Sequence, residues 1–196
     1  MNFWDNRYSS DEYAYGITAN EYFRRRISKM RPGKLLLPAE GEGRNAVYAA
    51  AEGWEVTAFD QSIKAREKAL ALASQKNVRI NYLSAGFDDI VLPEEHFDCV
   101  ALIFAHMPEE KRPVWHLKIS RFLKKNGILI LEAFSKAQLN YHSGGPKEPD
   151  LLFSKKSILA DFSSFAAITA EEHITELSEG KYHKGKASLI RASGIK

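Results

Sequence analysis

Leu35-Leu36-Leu37-Pro38-Ala39-Glu40-Gly41-Glu42-Gly43-Arg44-Asn45-Ala46 runs from a short apolar segment through two glycines into residues with helical spacing. The run 34–39 reads as a strand. Residues 44–52 read as a helix with Ala46, Val47, Ala49 and Ala50 on one face, and 54–59 as a second strand, which makes a βαβ unit. Asp60 ends that strand, 19 positions after Gly41. Glycines let the backbone approach a ligand, a helix N-terminus offers unpaired N–H groups to a carboxylate or phosphate, and an acid at a strand tip accepts hydrogen bonds from sugar hydroxyls. In the βαβ context, the glycines and Asp60 point to a nucleoside-containing ligand; alone, Gly-x-Gly would mark only a tight turn.

Outward from this unit, 64–75 reads as a helix, 77–83 as a strand, 97–104 as a strongly apolar strand, 109–123 as a helix and 127–134 as a strand. Strands apolar on both faces, as at 100–104 and 128–131, belong in the middle of a parallel sheet covered by helices. A loop at 140–150 holds Gly144-Gly145-Pro146 and Pro149. Ser154 then caps a helix over 155–162, and the tail alternates as two strands, 166–177 and 183–192, around Glu179-Gly180. Such neighbours pair antiparallel, because a parallel pair needs a crossover of about a dozen residues. The expected fold is α/β and Rossmann-like: a mostly parallel sheet of about seven strands, an antiparallel C-terminal strand, and helices on both faces. It forms a single domain over 1–196, with 1–30 as an N-terminal lid or helical segment.

Composition narrows the function classes. A chain of 196 residues, 44% hydrophobic and 27% charged, fits one core, and at this size roughly 70% of the unfolded surface is buried without disulfides or structural metal. The single cysteine, Cys99, lies in an apolar run and reads as a buried strand thiol in a reducing compartment. The N-terminus has no signal-like apolar region and no stretch approaches the roughly 18 apolar residues of a membrane span, so a cytoplasmic protein with no membrane partner is expected. Lys and Arg total 28 against 25 Asp and Glu, spread along the chain, which is not the pattern of a nucleic-acid binder. Arg24-Arg25-Arg26 reads as a solvated helix face. Six histidines show no metal-ligand spacing, and there is no Gly-x-Ser-x-Gly elbow.

Two cofactor families share the Gly-x-Gly geometry. Gly41, Gly43 and Ala46 fit a dinucleotide-binding pattern, but dehydrogenases of that kind usually carry a further substrate domain, for which no room remains. The whole-chain pattern resembles the class I S-adenosylmethionine-dependent methyltransferases, and among them the small-molecule enzymes similar to tellurite and thiopurine methyltransferases. Residues 35–46 look like the glycine-rich motif, and Glu55-Val56-Thr57-Ala58-Phe59-Asp60-Gln61-Ser62 like the second motif. Ser84-Ala85-Gly86-Phe87-Asp88 resembles the adenine-contacting loop, and Leu123-Lys124-Lys125-Asn126-Gly127 the turn into the fifth strand. Trp4 and Tyr15-Gly16 resemble residues that close over the cofactor.

The resemblance implies S-adenosylmethionine as cofactor, with S-adenosylhomocysteine as product. The cofactor-binding residues it implies are Trp4, Tyr15, Glu40, Gly41, Gly43, Asn45, Asp60, Gln61, Gly86, Phe87 and Phe104. It further implies methyl transfer to a small acceptor such as a thiol or a chalcogen or metalloid oxyanion. Three positions depart from the family pattern, which often has an acid at Leu37, Gly at Ala39 and an acid at Gly86. These departures either weaken cofactor binding or move its contacts onto Glu40, with Asp88 replacing the acid missing at Gly86. The alternatives are a binding-only module of the same fold and a nicotinamide-dinucleotide-binding protein.

Ligands of open α/β sheets bind beyond the carboxyl ends of the strands. His106 directly follows the strand 97–104, so it is either a general base or a cap for the helix beginning at Glu109. His183 is either a second candidate base or a hairpin residue. His96 and His116 are expected to face solvent or to pack. Trp4, Tyr8, Tyr13 and Tyr15 form either an aromatic lid over a sulfonium or a packed N-terminal segment.

Overall fold

The computed structural model describes residues 3–196; the first two positions of the expected N-terminal segment, Met1 and Asn2, lie outside the described residues. The helices are α1 (Phe3–Arg7), α2 (Glu21–Ile27), α3 (Arg44–Ala51), α4 (Ile63–Gln75), α5 (Arg112–Phe122) and α6 (Lys155–Asp161). The strands are β1 (Lys34–Pro38), β2 (Glu55–Asp60), β3 (Asn81–Ser84), β4 (Phe97–Ile103), β5 (Leu123–Phe134), β6 (Ala167–Glu179) and β7 (His183–Ile195). All seven join one sheet in the order β3-β2-β1-β4-β5-β7-β6. The pairings from β3 to β5 are parallel, whereas β7 pairs antiparallel with both β5 and β6. The fold is the one expected.

Side-chain alternation explains why helices cover both faces. Leu35, Leu37, Cys99, Ala101 and Ile103 go to one side, where they meet Phe23 and Ile27 of α2, Ala46 and Ala49 of α3, and Ala69 of α4. Leu36, Val100, Leu102, Leu129 and Leu131 go to the other, against Ile119 and Phe122 of α5 and Ile158 and Phe162 of α6. Because the strand period is two, each central strand feeds two cores at once. Cys99 is fully buried, and burial pushes its thiol well above the usual range.

Several boundaries differ from the sequence reading. β3 begins at Asn81 rather than 77, because Asn77 takes a left-handed φ of 54° after α4. α5 starts at Arg112, later than 109, with Pro113 in its first turn. β5 begins at Leu123, four residues early, because Leu123 already pairs with Phe97. His116 packs: it is fully buried, with Nδ1 2.8 Å from Asp161 and its ring stacked on Phe162. Arg24 and Arg25 lie on the exposed face of α2.

A buried polar network ties the N-terminal segment to the far side of the sheet. Asn20 caps α2 by accepting from the Phe23 N–H, and its side-chain N–H2 donates to Glu132 (2.6 Å) and Glu179 (2.9 Å). Arg191 of β7 donates to the other Glu132 oxygen at 2.5 Å. On the outer edge, β6 is open along its length and exposes Glu171, Glu172 and Glu176.

Gly43, expected at the cofactor, has a packing role instead. Its φ is 87°, and a Cβ there would stand 2.6 Å from the Ala69 Cβ of α4. Gly43→Ala therefore combines left-handed strain with overpacking and is expected to lower stability by about 2–4 kcal/mol. Chemical denaturation of the two proteins would check this; equal midpoints would show that α3 and α4 can separate freely.

Candidate active site

The turn from β1 into α3 is built around two buried acids. Glu40 Oε1 accepts from the backbone N–H groups of Asn45 and Ala46, each at 2.8 Å, and Oε2 accepts from Asn45 Nδ2 at 3.2 Å. The expected anion-binding donors of the helix N-terminus are thus partly taken by the chain's own carboxylate. Asp60, at the tip of β2, accepts from the Gly41 N–H at 3.1 Å and the Ser62 N–H at 2.9 Å. Tyr82 closes the turn by donating its hydroxyl to the Gly41 carbonyl at 2.5 Å. Neither acid forms an ion pair among the described residues. Burial raises Glu40 to about 7 and Asp60 to about 6, against the backbone hydrogen bonds that pull both down.

The departures from the expected motif have structural reasons. Leu37 is fully buried on the α2–α3 side of the sheet, so that position supplies core. Ala39 holds φ 51°, a left-handed backbone that glycine adopts without strain. Asp88 lines the cavity beside Gly86, with its carboxylate engaged by other side chains. Its exposed carboxylate accepts from Trp115 Nε1 at 2.7 Å and Lys111 Nζ at 3.1 Å, and these bonds, Trp115 first, lower its pKa. Trp115 is thereby laid flat on Phe87, with ring centroids 4.9 Å apart and planes 11° from parallel.

These groups open onto a cavity of about 780 Å³ beyond the strand ends, within the size range of small-molecule sites. Glu40, Gly41 and Asn45 line it from the β1–α3 turn, and Asp60 and Gln61 from β2. Gly86, Phe87 and Trp115 form one wall. Trp4, Tyr8 and Tyr15 cover it, and Phe104, His106 and His183 line the opposite end. Gly43 is absent from the lining, and so is Tyr13, whose hydroxyl bonds the Lys68 carbonyl on α4. Trp115, Arg7 and Tyr182 line the cavity without any sequence signal that pointed there. Arg7 sits 4.0 Å over the Tyr182 ring and donates to the Tyr15 hydroxyl, joining α1 to the β6–β7 turn.

The two candidate histidines separate clearly. At His106 the Phe134 N–H donates to Nε2 (3.3 Å), so Nδ1 carries the ring proton and donates to the Leu151 carbonyl at 2.7 Å. Burial lowers its pKa to about 4. With both nitrogens committed to backbone, His106 staples the ends of β4 and β5 to the loop before α6 and offers no lone pair; this corrects its reading as a base. Among the described residues His183 uses one nitrogen: Nδ1 faces Glu179 at 3.3 Å.

Comparison with known proteins agrees with this architecture. A methyltransferase domain model matches residues 38–127. The uncharacterized methyltransferase YbaJ of Bacillus subtilis is 34% identical over 50% of this chain and 38% of its own length. Thiocyanate methyltransferase 1 of Brassica oleracea is 27% identical over 84% of this chain and 71% of its own. The chain thus spans less than half of the first relative and about seven tenths of the second. Among solved structures, an S-adenosylmethionine-dependent methyltransferase from Aquifex aeolicus superposes with a TM-score of 0.70 at 15% identity, covering 99% of both chains. TehB from Haemophilus influenzae gives a TM-score of 0.75 at 15% identity, over 99% of this chain and 66% of that one. Residues 38–127 are thus similar to a methyltransferase domain, and the fold is the one seen in S-adenosylmethionine-dependent methyltransferases. The residues present fit that cofactor: the cavity holds two desolvated acids that form no ion pair among the described residues, beside a stacked aromatic wall.

A raised carboxylate pKa favours folding in the protonated form. The stability Glu40 contributes is therefore present below its usual pKa of 4.5 and is lost as pH rises towards 7, by about 3 kcal/mol in the ligand-free protein. Thermal melts of the parent and Glu40→Gln between pH 4 and 8 should show the variant gaining on the parent by roughly 5–10 °C across that window. A pH-independent gap would mean that Glu40 titrates alike in the folded and unfolded chain, so that burial does not raise it.

Proposed function

We propose that this protein transfers the methyl group of S-adenosylmethionine to a small-molecule acceptor with a soft nucleophilic atom, a thiol or chalcogen. The observation that carries this reading is one continuous cavity with two chemically different ends. Its acidic, aromatic-walled end lies at the tips of β1 and β2, and its other end is an aromatic chamber of Phe104, Phe134 and Tyr182 beside His183. The likeness to a thiocyanate methyltransferase over 84% of the chain supports the acceptor class.

In this reading Asp60 accepts hydrogen bonds from the ribose hydroxyls, with Gln61 and Gly86 beside it. Phe87 and Trp115 flank the base, and Gly41 and Asn45 shape the turn beneath the cofactor. Glu40 faces its positively charged end. When bound, the cofactor supplies an electrophilic methyl group on a sulfonium sulfur. Trp4, Tyr8 and Tyr15 form a lid that excludes water and attracts the cation through their ring faces. Holding two reactants in line in this way supplies roughly 7–11 kcal/mol of barrier reduction.

Titration calorimetry with S-adenosylhomocysteine tests the pocket. Asp60→Asn should weaken binding roughly 10- to 100-fold, the worth of a charge-assisted hydrogen bond; parent-like affinity would sink the assignment of Asp60. Trp4→Ala should weaken the same ligand, and an unchanged affinity would reduce the aromatic cover to packing.

A further inference from the structure

We infer that His183 and Glu179 form a proton-accepting dyad, and that the acceptor molecule is a neutral nucleophile that arrives still carrying its proton. This rests on the methyl-transfer reading above and narrows its substrate class.

Glu179 ends β6 and His183 begins β7, so the β6–β7 turn places the carboxylate and the imidazole side by side. The ionised carboxylate can only accept, so Nδ1 of His183 carries the ring proton and Nε2 keeps its lone pair. Among the described residues Nε2 has no hydrogen-bond partner, although the residue is only 5% exposed. The ring lines the cavity, with Phe104 at 4.4 Å, Tyr15 at 4.5 Å and Phe134 at 5.1 Å between centroids.

Glu179 is held ionised from three sides. Arg44 of α3 donates at 2.9 Å, Asn20 at 2.9 Å, and His183 faces it at 3.3 Å. Burial alone would raise this acid, but the His183 bond and the Arg44 charge overcome it and hold it at about 2. The titratable and charged groups that bear on His183 are Glu179 from β6, Arg44 from α3, Arg7 from α1, Tyr15 and Tyr182 from the segments covering the ring, and His106 after β4. Burial, first, and the two arginines lower the imidazole pKa, against the opposing pull of Glu179, so the ring starts neutral. Once protonated, it is stabilised as an ion pair with Glu179.

The reaction then balances as follows. The nucleophile's lone pair forms the bond to the methyl carbon, the carbon–sulfur bond breaks with its electron pair going to sulfur, and the nucleophile's proton ends on His183 Nε2. Glu179 is a positioning residue: it fixes the tautomer and never takes the proton. An acceptor that is already a proton-free anion has no use for this arrangement, whereas a neutral thiol does.

The test uses the full chain, S-adenosylmethionine, a panel of small neutral thiols, and the proton-free anions thiocyanate and iodide. Binding of S-adenosylhomocysteine to parent and His183→Asn is measured first. Loss of binding in the parent would overturn the methyl-transfer reading itself. With binding intact in both, the parent should turn over thiols in preference to the anions. His183→Asn should lose about 100-fold or more in kcat at pH 7 and recover most of it at about pH 9.5, where the thiol ionises without help. Glu179→Gln should displace the pH profile for thiols, read on protein that still binds S-adenosylhomocysteine, whatever stability is lost at the Arg44 pair. A parent that methylates only the anions, or a His183→Asn loss of equal size at every pH, would overturn the dyad while the methyltransferase reading stood.

Discussion

Two desolvated carboxylates that form no ion pair among the described residues set the geometry of this molecule's ligand end. Glu40 takes the first-turn N–H groups of α3 and Asp60 takes the N–H groups of Gly41 and Ser62, so a single turn is fixed from both sides by backbone donors. Burying a charge is costly unless it is hydrogen-bonded, and here hydrogen bonding is incomplete compensation, as the raised pKa values of both acids show. The free protein therefore holds an unsatisfied demand for positive charge and for hydroxyl donors where the cavity opens. A cation bearing a sugar meets both demands at once, which is why the turn is intelligible as a binding site and not only as a loop.

The roof and the far end of the cavity depend on a second set of contacts, which joins distant parts of the chain. Asn20 bridges Glu132 and Glu179 with one amide group, and Arg44 reaches from the glycine-rich turn to Glu179. Arg7 grips the β6–β7 turn through Tyr182. Breaking one partner of such a buried pair leaves the other charge uncompensated, which costs more than the pair itself contributes. The N-terminal segment, α3 and the C-terminal hairpin thus share one electrostatic frame, and a change in any of them is felt at the chamber beside His183.

Much of this was legible in the sequence. The apolar runs of β1, β4 and β5 and the period of α3 and α4 fixed the βαβ order, and Glu179-Gly180 marked the hairpin. Boundaries slipped where one residue took a left-handed backbone, as at Asn77 and Phe104, a property that hydrophobic pattern does not carry. Site residues at strand tips, such as Asp60 and Gln61, were readable because topology alone puts them there. Trp115 was missed because it lies on a helix whose spacing reads as ordinary packing, and it reaches the cavity only through stacking on Phe87. His106 and His183 looked alike because sequence shows a ring but not what its two nitrogens touch. Gly43 misled for a related reason, since the same glycine serves a close backbone approach to a ligand or to a neighbouring helix.

The outer edge of the sheet carries a different consequence. β6 runs for 13 residues with one side unpaired, a length of open ladder that invites another strand to join it. Glu171, Glu172 and Glu176 stand exposed along it, acidic side chains of the kind that discourage edge-to-edge pairing. The same strand therefore serves two ends: its outer glutamates guard the open edge, and its last residue, Glu179, holds the cavity's frame together.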